Sequence, residues 1–307
     1  MINLQGIIDI GTNTVKLLVI RETEDGHPVF VNKRVFPTKT GKGSFSQNQI
    51  TAEAAERTIE AIKKSLIVAR GYECNDIKAF ATAALRNAVN PEIITVPVKN
   101  ETGIDIEIIT GDREAELIYK GVKNAVNIEN ERYLIMDIGG GSTEYIIADN
   151  NRIYFKKSYP HGVSALVEKF EISEKIKPID QENIVFYLNE TTHDLQNALS
   201  KYPCSHFVGS SGSFNTFYTV ISAIIDGNDK AVEKNTYYTF GEPFRETLQK
   251  LIDSNAGERY LTPGIPEMRV ETIHMAALLA QIMIEKAKPE KISYSFYSLV
   301  EGVWFDR

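Results

Sequence analysis

The sequence predicts an α/β protein in which two similar domains face a cleft. Strand and helix patterns are mixed along the chain, and one strand–turn–strand segment occurs twice. The first copy, residues 7–20, reads IIDIGTNTVKLLVI, and the second, residues 135–148, reads IMDIGGGSTEYIIA. The copies align without a gap at an offset of 128 residues. The length of 307 residues fits two domains of about 100–200 residues each, so the repeat indicates a duplicated domain.

Each copy of the repeat predicts a three-stranded antiparallel unit at the start of its half. Runs rich in β-branched residues on both sides of the turn are typical of strands. A hairpin signal follows each copy, Asp25-Gly26 in the first half and Asn150-Asn151 in the second. Asp-Gly suits a tight hairpin turn because both central residues need positive φ. We therefore expect strand, tight turn, strand, hairpin and strand in both halves.

Further helices and strands follow each unit. One helix over 51–70 begins at a Thr51 cap and closes at Gly71, and another begins at an Asp112 cap and runs to about Val122. The remaining predicted elements are strands at 77–81, 105–109, 207–208 and 292–296, and helices at 83–88, 164–170, 181–199, 243–253 and 269–288. The domain boundary is expected near residues 122–130, before the second copy of the repeat.

Composition and charge exclude several classes of protein. Hydrophobic residues make up 43% and charged residues 24%, which excludes a disordered or collagen-like chain. The formal net charge of −7 argues against nucleic acid or an anionic membrane as a partner, because surfaces that bind them are normally basic. No signal peptide or 18-residue apolar run is evident, and Cys74 and Cys204 stand 130 residues apart. We expect a cytoplasmic protein with two free thiols.

Three turns rich in Gly, Ser and Thr each follow a predicted strand. They are Gly11-Thr12-Asn13-Thr14, Gly139-Gly140-Gly141-Ser142 and Gly209-Ser210-Ser211-Gly212-Ser213. Glycines let the backbone approach a ligand closely, and successive amide N–H groups form a site for anions. Plain tight turns are the alternative, since Gly and Ser dominate turns in general. Two equivalent copies and a third turn favour a shared phosphate site.

Carboxylates stand beside these turns. Asp9 and Asp137 occupy equivalent strand ends, and Glu144 lies in the strand that follows the second turn. A carboxylate next to bound phosphate repels it unless a cation lies between them, and Mg²⁺ prefers a few carboxylates together with phosphate oxygens. The alternative is that Asp9 and Asp137 cap their own turns. Lys16 takes the position equivalent to Glu144, so the pattern predicts an asymmetric site on symmetric domains.

The residues alone leave two further candidates open. Glu114 lies in the segment TGDREAEL, where an acidic residue can simply favour a helix N-terminus through the helix dipole. Arg86 lies in the segment ATAALRNAVN, on a helix after a strand, where it can pair with phosphate or be solvated.

The segments together resemble a known family. DIGTNT, ATAALRNA, IITGDREAELIYKGV, DIGGGSTEY and GSSGSF occur in this order. These segments identify the chain as similar to the exopolyphosphatase / guanosine pentaphosphate phosphohydrolase (Ppx/GppA) family. That family belongs to the actin-like ATPase superfamily, whose domains are duplicated and ribonuclease-H-like. The resemblance covers nearly the whole chain and indicates the short form of the family. It implies an N-terminal domain of residues 1–123 plus about 297–307 and a C-terminal domain of residues 124–296.

The resemblance also implies roles for the candidate residues. Glu114 matches the general base that activates a water for attack on the terminal phosphorus. Asp137 and Glu144 match carboxylates associated with Mg²⁺, and Arg86 matches an arginine that contacts phosphate. The first two turns match the phosphate loops, and Gly209 to Ser213 match a loop near a nucleotide or more distal phosphates.

Three positions depart from the family pattern. Arg113 replaces a second acidic residue, Val300 replaces an arginine, and Ser164-Ala165 stands where a basic residue is usual. Two basic contacts with a long anionic chain are therefore absent. The resemblance implies Mg²⁺-dependent release of terminal phosphate from inorganic polyphosphate. The alternatives are removal of the 5′ γ-phosphate of pppGpp, a non-catalytic sensor of (p)ppGpp or polyphosphate, and a kinase of the superfamily. The sequence leaves a homodimer open.

Overall fold

The computed structural model describes residues 4–24, 27–43, 48–128, 131–225 and 236–307. Backbone contacts divide the chain into two compact units, residues 1–114 together with Arg307, and residues 115–306. This division falls inside a helix, whereas the sequence prediction places the domain boundary after residue 123. The predicted domain bounds stay a prediction.

The first unit is built on a five-stranded sheet. Three strands form an antiparallel meander, and two further strands run parallel to the first, in the order β3-β2-β1-β4-β5. The elements are β1 (Leu4–Ile10), β2 (Thr14–Glu22), β3 (Pro28–Pro37), α1 (Ala52–Gly71), β4 (Asp76–Ala81), α2 (Ala83–Asn87), α3 (Glu92–Thr102), β5 (Ile106–Ile108) and the start of α4 (Gly111–Ala125).

The second unit repeats this order in a six-stranded sheet. Its strands run β10-β11-β9-β6-β7-β8, with an antiparallel meander followed by two parallel strands. The elements are β6 (Tyr133–Ile138), β7 (Thr143–Ala148), β8 (Ile153–Tyr159), α5 (Val163–Lys169), α6 (Pro178–Thr191), α7 (His193–Lys201), β9 (His206–Ser210), α8 (Ser211–Ile225), β10 (Tyr237–Thr239), α9 (Pro243–Asp253), α10 (Ala256–Leu261), a 3₁₀ turn (Glu267–Arg269), α11 (Ile273–Ala287), β11 (Lys291–Ser295) and α12 (Leu299–Trp304). The predicted α/β class with a duplicated domain is confirmed.

The central strands are apolar because both of their faces are buried. Every residue of β6 is buried, and every residue of β1 except Leu4 is buried. Strands buried on both faces are near-continuous apolar runs rather than alternating ones. This is why the two copies of the repeat begin with Ile and Met side chains. The helix predicted from Thr51 is confirmed as α1, and the Thr51 hydroxyl accepts the Ala54 amide at 3.2 Å.

Several predicted elements need correction. The Thr110 hydroxyl accepts the Arg113 amide at 3.2 Å, so Thr110 rather than Asp112 caps α4. The single helix predicted over 181–199 is two helices, α6 and α7, which meet at Thr192. The helix predicted from Arg269 starts only at Ile273, after the 3₁₀ turn. The hairpin signal Asp25-Gly26 lies outside the described residues.

The C-terminal helix α12 packs closely on α4. A Cβ atom added at Gly302 would lie 1.7 Å from the Leu117 carbonyl oxygen, and one at Gly121 would lie 2.2 Å from the Ser298 carbonyl oxygen. Only glycine allows two helix backbones to approach this closely. These contacts lie within the second unit, which holds Leu117 and Gly121 as well as α12. The expectation that residues from about 297 return to pack on the first domain stays a prediction.

Within the described residues, no helix combines the length and the apolar character needed to cross a membrane. Cys74 and Cys204 are buried free thiols, as expected. Burial raises the pKa of the Cys204 thiol to about 12, so this thiol is unreactive near neutral pH.

His161 makes the second unit sensitive to acid. Its ring is fully buried and stacks on Tyr159 at 5.1 Å between centroids, and neither nitrogen has a hydrogen-bond partner among the described residues. Burial lowers the pKa of His161 to about 3, against about 6.5 in an unfolded chain. The unfolded state therefore binds more protons than the folded state between these two pKa values. The stability that the neutral His161 ring contributes is complete above about pH 6.5 and is lost as pH falls toward 3.

We expect His161→Phe to remove part of the pH dependence of unfolding. Between pH 7.5 and 5.5, the wild-type protein should lose about 1.4 kcal/mol through this residue, since one pKa unit is about 1.4 kcal/mol. Urea unfolding of both proteins at the two pH values measures the difference, because carboxylate contributions cancel. Equal losses in the two proteins would show that His161 does not titrate in this way.

Candidate functional site

The first phosphate turn is closed by its own backbone and held by a later segment. The Gly11 amide donates to the Thr14 carbonyl at 2.9 Å. The carbonyl of Thr12 accepts the Gly41 amide, and the carbonyl of Asn13 accepts the amides of Thr38 and Lys39, at 2.9–3.1 Å. The turn therefore uses its carbonyl groups for folding.

The second turn has the same geometry. The Gly139 amide donates to the Ser142 carbonyl at 2.9 Å, and a Cβ atom added at Gly139 would lie 2.8 Å from that oxygen. The first amides of α5 donate to the Gly139 and Gly140 carbonyls at 2.9–3.2 Å. A Cβ atom added at Gly162 would lie 2.5 Å from the Gly140 carbonyl, so this residue lets α5 approach the turn.

Both turns keep amide groups for a ligand. In the part of the chain that the structure describes, the amides of Thr12, Gly140 and Gly141 donate to no protein acceptor. Amides without a protein acceptor in a partly buried turn can donate to a bound anion or to water. This supports the phosphate interpretation over that of plain tight turns.

The third predicted turn is a junction rather than a loop. Gly209 and Ser210 end β9, and Ser211 begins α8 with a positive φ of 68°. A non-glycine residue in this region is strained and is often found at functional sites. The junction lies beside the second turn, since Ser210 pairs with Asp137 and the Ser213 hydroxyl donates to the Ile138 carbonyl at 3.2 Å.

Asp137 and Glu144 lie directly opposite each other on β6 and β7. Both are buried, with 6% and 1% of their surface exposed. The Glu144 Oε1 atom accepts the hydroxyls of Ser142 and Ser158 at 2.6 and 2.7 Å, which orient the carboxylate. The Ser142 hydroxyl, predicted as a phosphate donor, is thus occupied by Glu144.

This carboxylate pair fits Mg²⁺. Like charges directly opposite in a sheet are destabilising without a cation between them. Within the described ranges, no group of three His, Cys, Asp or Glu side chains is placed to hold a metal. Two carboxylates suffice for Mg²⁺, which usually keeps waters and binds substrate phosphates. The donor set of Asp137 and Glu144 therefore suits Mg²⁺ better than a metal that needs a full protein cage.

The equivalent pair in the first unit is an ion pair. Asp9 and Lys16 are opposite in register, and the Lys16 Nζ lies 3.3 Å from Asp9 Oδ2. The other carboxylate oxygen, Oδ1, is buried and has no hydrogen-bond partner among the described residues. Asp9 therefore does not cap its own turn, and an unsatisfied buried oxygen favours a ligand, water or cation there.

Glu114 is buried at the start of α4 and pairs with Arg86. The Arg86 Nη1 atom donates to Glu114 Oε2 at 2.7 Å and to the Ile109 carbonyl at 3.1 Å. Glu114 is 7% exposed, so it is more than a surface acid at a helix N-terminus. The Thr82 amide, which precedes α2, donates to the Ile10 carbonyl at 3.1 Å and ties the Arg86 helix to the end of β1 beside the first turn.

Arg269 is a further cation beside the second turn. Its Nη1 atom donates to the Ser213 hydroxyl at 3.2 Å, and a Cβ atom added at Gly212 would collide with its guanidinium. Burial lowers the pKa of the Arg269 guanidinium, whereas the charge of Asp137 raises it. Asp137 thus lies in the field of this arginine.

A cavity of about 890 Å³ lies at the opposite edge of the second sheet. Its lining includes Arg132, Asp149 and Ser205, which precede β6, follow β7 and precede β9. Ligands of open α/β sheets bind at the carboxyl ends of the parallel strands, where Asp137 and Ser210 lie. The cavity is therefore separate from the candidate site.

Comparison with known proteins decides the family. The model described as Ppx/GppA phosphatase family matches residues 19–307. The chain belongs to the Ppx/GppA phosphatase family.

Relatives of this Ppx/GppA protein include solved and curated proteins. A crystal structure of an exopolyphosphatase from Cytophaga hutchinsonii matches with a TM-score of 0.94 and 31% identity, covering 99% of this chain and 97% of that one. Exopolyphosphatase 1 of Mycobacterium tuberculosis is 30% identical over 165 residues, which are 54% of this chain and 48% of that protein. The guanosine-5'-triphosphate,3'-diphosphate pyrophosphatase of Vibrio atlanticus is 26% identical over 229 residues, 75% of this chain and 45% of that protein. The matches span about half the length of these two curated relatives.

The structure groups the predicted site residues of this Ppx/GppA protein within each unit. In the first unit, the turn from Gly11 follows β1, and Asp9 lies near the end of β1 opposite Lys16 on β2. Arg86 and Glu114 lie in the helices that follow β4 and β5. In the second unit, the turn from Gly139, the carboxylate pair and the Ser210 junction lie together.

Sequence reasoning missed three residues of this site. Ser158 lies opposite Glu144 in the β7–β8 hairpin, so pairing the strands across Asn150-Asn151 could have found it. No sequence pattern marks Gly162 or Arg269. Their roles depend on contacts with the second turn and with α8, which are distant in sequence.

Proposed function

We propose that this Ppx/GppA family protein hydrolyses the terminal phosphoanhydride bond of inorganic polyphosphate in the presence of Mg²⁺. One observation carries the proposal. The second turn presents the amides of Gly140 and Gly141, which have no acceptor among the described residues, next to the opposed carboxylates of Asp137 and Glu144. The two amides can donate to phosphate oxygens, and the two carboxylates can hold a divalent cation beside them.

The chain's own residues supply binding, orientation and proton transfer. Within the second unit, the amides of Gly140 and Gly141 donate to phosphate oxygens, and Arg269 offsets their charge. Within the first unit, the Thr12 amide and Lys16 offer the same two kinds of group. Glu114 accepts the proton of the attacking water, and Arg86 holds the Glu114 carboxylate in place. Asp137 and Glu144 would hold Mg²⁺, which supplies neutralisation of developing charge on the phosphoryl oxygens. Phosphoanhydride hydrolysis requires little else from a protein.

The nucleotide pppGpp is the second candidate substrate. The name of the Vibrio atlanticus relative supports it, and the chemistry at the terminal phosphorus is the same. The junction at Ser211 offers less support, because the Phe214 ring and the Arg269 guanidinium fill the space beside Gly209 and Gly212. An inorganic chain needs no pocket for a base there. We therefore favour polyphosphate.

Release of orthophosphate from several substrates tests this proposal. We expect Mg²⁺-dependent release from polyphosphate of defined length, with a kcat/KM about tenfold or more above that for pppGpp, which equals at least about 1.4 kcal/mol of transition-state stabilisation. EDTA should abolish release, and excess Mg²⁺ should restore it. A preference for pppGpp would select the second candidate. Binding without turnover of either compound would favour a sensor and contradict the hydrolase proposal.

The sequence expectations of a cytoplasmic location and of a homodimer stay predictions.

A further inference from the structure

Arg259, in α10, is buried without an ion-pair partner among the described residues. Its side chain is 1% exposed and is the largest of the fully buried side chains. A buried arginine is normally matched by a carboxylate, because an unpaired buried charge is strongly destabilising. Here three carbonyl oxygens take that role. The Nε atom donates to the carbonyl oxygen of Val270 at 2.7 Å, Nη1 to that of Ser254 at 2.5 Å and Nη2 to that of Glu174 at 2.8 Å.

The three carbonyls belong to three separate segments. Glu174 lies between α5 and α6, Ser254 follows α9, and Val270 follows the 3₁₀ turn. The rigid, planar guanidinium donates in fixed directions, so it sets the positions of these segments relative to one another. Val270 is the residue next to Arg269, whose guanidinium lies at the start of α8. Arg259 therefore acts on the backbone that carries Arg269.

The backbone before Arg269 is anchored independently. Gly264 has a φ of 90°, and a Cβ atom there would lie 2.7 Å from the Thr219 backbone. The Thr219 hydroxyl donates to the Gly264 carbonyl at 2.7 Å, and the Arg269 amide donates to the Pro266 carbonyl at 2.8 Å. These contacts hold one side of the Arg269 segment on α8, and the Arg259–Val270 bond holds the other.

We propose that Arg259 is a positioning residue for Arg269, and that it sets the affinity of the second turn for the terminal phosphates of the substrate. This inference rests on the proposed function, in which Arg269 contacts phosphate. Arg259 itself touches no substrate. Losing its bond to Val270 frees one side of the Arg269 segment, so the guanidinium samples positions that no longer face the turn.

The expected effect is on binding. Arg269 contacts phosphate in the ground state and in the transition state alike, and loss of such uniform binding raises KM with little change in kcat. We expect Arg259→Met to raise KM for polyphosphate about tenfold and to change kcat less than about twofold, and Arg259→Lys to fall between it and wild type. A merely structural role would lower the active fraction, and thus kcat, at constant KM.

A double-mutant cycle tests the route of the effect. In an Arg269→Gln background, Arg259→Met should raise KM by less than about twofold, because the group that it positions is gone. Lys286→Met is the matched control, since it removes a half-buried cationic contact of α11 with Asn189 and should leave KM unchanged. Thermal unfolding of each variant shows which proteins are folded at the assay temperature. If Arg259→Met is not folded, Arg259→Lys replaces it, since it keeps the charge without the forked donors.

Binding of tripolyphosphate, measured by calorimetry on the same proteins, separates this inference from the proposed function. If the wild type binds but releases no phosphate, the hydrolase proposal fails and Kd replaces KM in the cycle. A folded Arg259 variant with wild-type KM and Kd would overturn the inference, as would an undiminished effect in the Arg269→Gln background. A wild type that binds no tripolyphosphate would overturn both.

Discussion

Glu114→Gln is expected to lower kcat for polyphosphate about 10²–10⁴-fold with little change in KM, the usual size of a lost general base. Glutamine keeps the shape of the side chain and can still accept a hydrogen bond from Arg86. It cannot accept a proton from water. The pair with Arg86 at 2.7 Å holds the carboxylate in one orientation, so its proton-accepting role depends on that geometry. Initial rates of phosphate release under saturating substrate measure the effect.

Glu107→Gln is the matched control for this substitution. Glu107 is an exposed carboxylate on β5 in the same unit, and its replacement changes the net charge by the same amount. Its rate should equal that of wild type. A Glu114→Gln protein that is folded and retains more than about a tenth of wild-type kcat would exclude Glu114 as the base.

Gly162→Ala is expected to lower kcat/KM about 10²-fold through the second turn. The added Cβ atom would lie 2.5 Å from the Gly140 carbonyl and 2.6 Å from the Gly141 amide nitrogen, both of them backbone atoms. Backbone cannot rotate away as a flexible side chain can, so the turn or α5 must shift. A displacement of about 1 Å in a substrate-positioning group can cost 10²-fold in rate. We also expect a loss of about 1–3 kcal/mol in the free energy of unfolding, as for other overpacked sites.

Gly71→Ala tests the specificity of that effect. Gly71 ends α1, and an added Cβ atom there has no heavy atom within 4 Å. Alanine should leave activity unchanged and slightly raise stability, since alanine is favoured over glycine in a helix by about 0.5–1 kcal/mol. Kinetics and urea unfolding of the two variants provide the comparison. Wild-type kinetics in folded Gly162→Ala would show that the turn is not held in place by this contact.

The duplicated fold could be predicted because the repeat is local. Each strand–turn–strand copy carries its strand signal and its turn residues within 14 residues, and the structure confirms the same hydrogen bond across both turns, from Gly11 to Thr14 and from Gly139 to Ser142. Helices with one apolar face, such as α1 and α9, were also predictable. In these cases local pattern and tertiary packing agree.

Other elements were missed because packing outweighs local preference. Helix α3 contains Pro97 and several β-branched residues, yet Ile94 and Val98 are completely buried against the core. The break at Thr192 leaves no trace in the pattern, because Leu188 and Leu195 are seven residues apart and keep the same face. Helix α8 is apolar on most sides, so its periodicity is weak.

The candidate site was predictable where one residue type and one strand end define the chemistry. The positions of Asp9, Asp137 and Glu144 follow from the strand register within each hairpin. The structure places Asp9 opposite Lys16, and Asp137 opposite Glu144. Arg269 and Arg259 could not be found in this way. Each acts through carbonyl and hydroxyl groups from other segments, which only the folded chain brings together.

Hydrolysis of polyphosphate in ¹⁸O-labelled water tests the central claim most directly. Attack of water on the terminal phosphorus predicts one ¹⁸O atom in each released orthophosphate, a remaining chain shorter by one phosphate, and loss of both products in Glu114→Gln. Orthophosphate without label, internal fragments of the chain, or equal labelling by the Glu114→Gln protein would contradict terminal hydrolysis with Glu114 as the base.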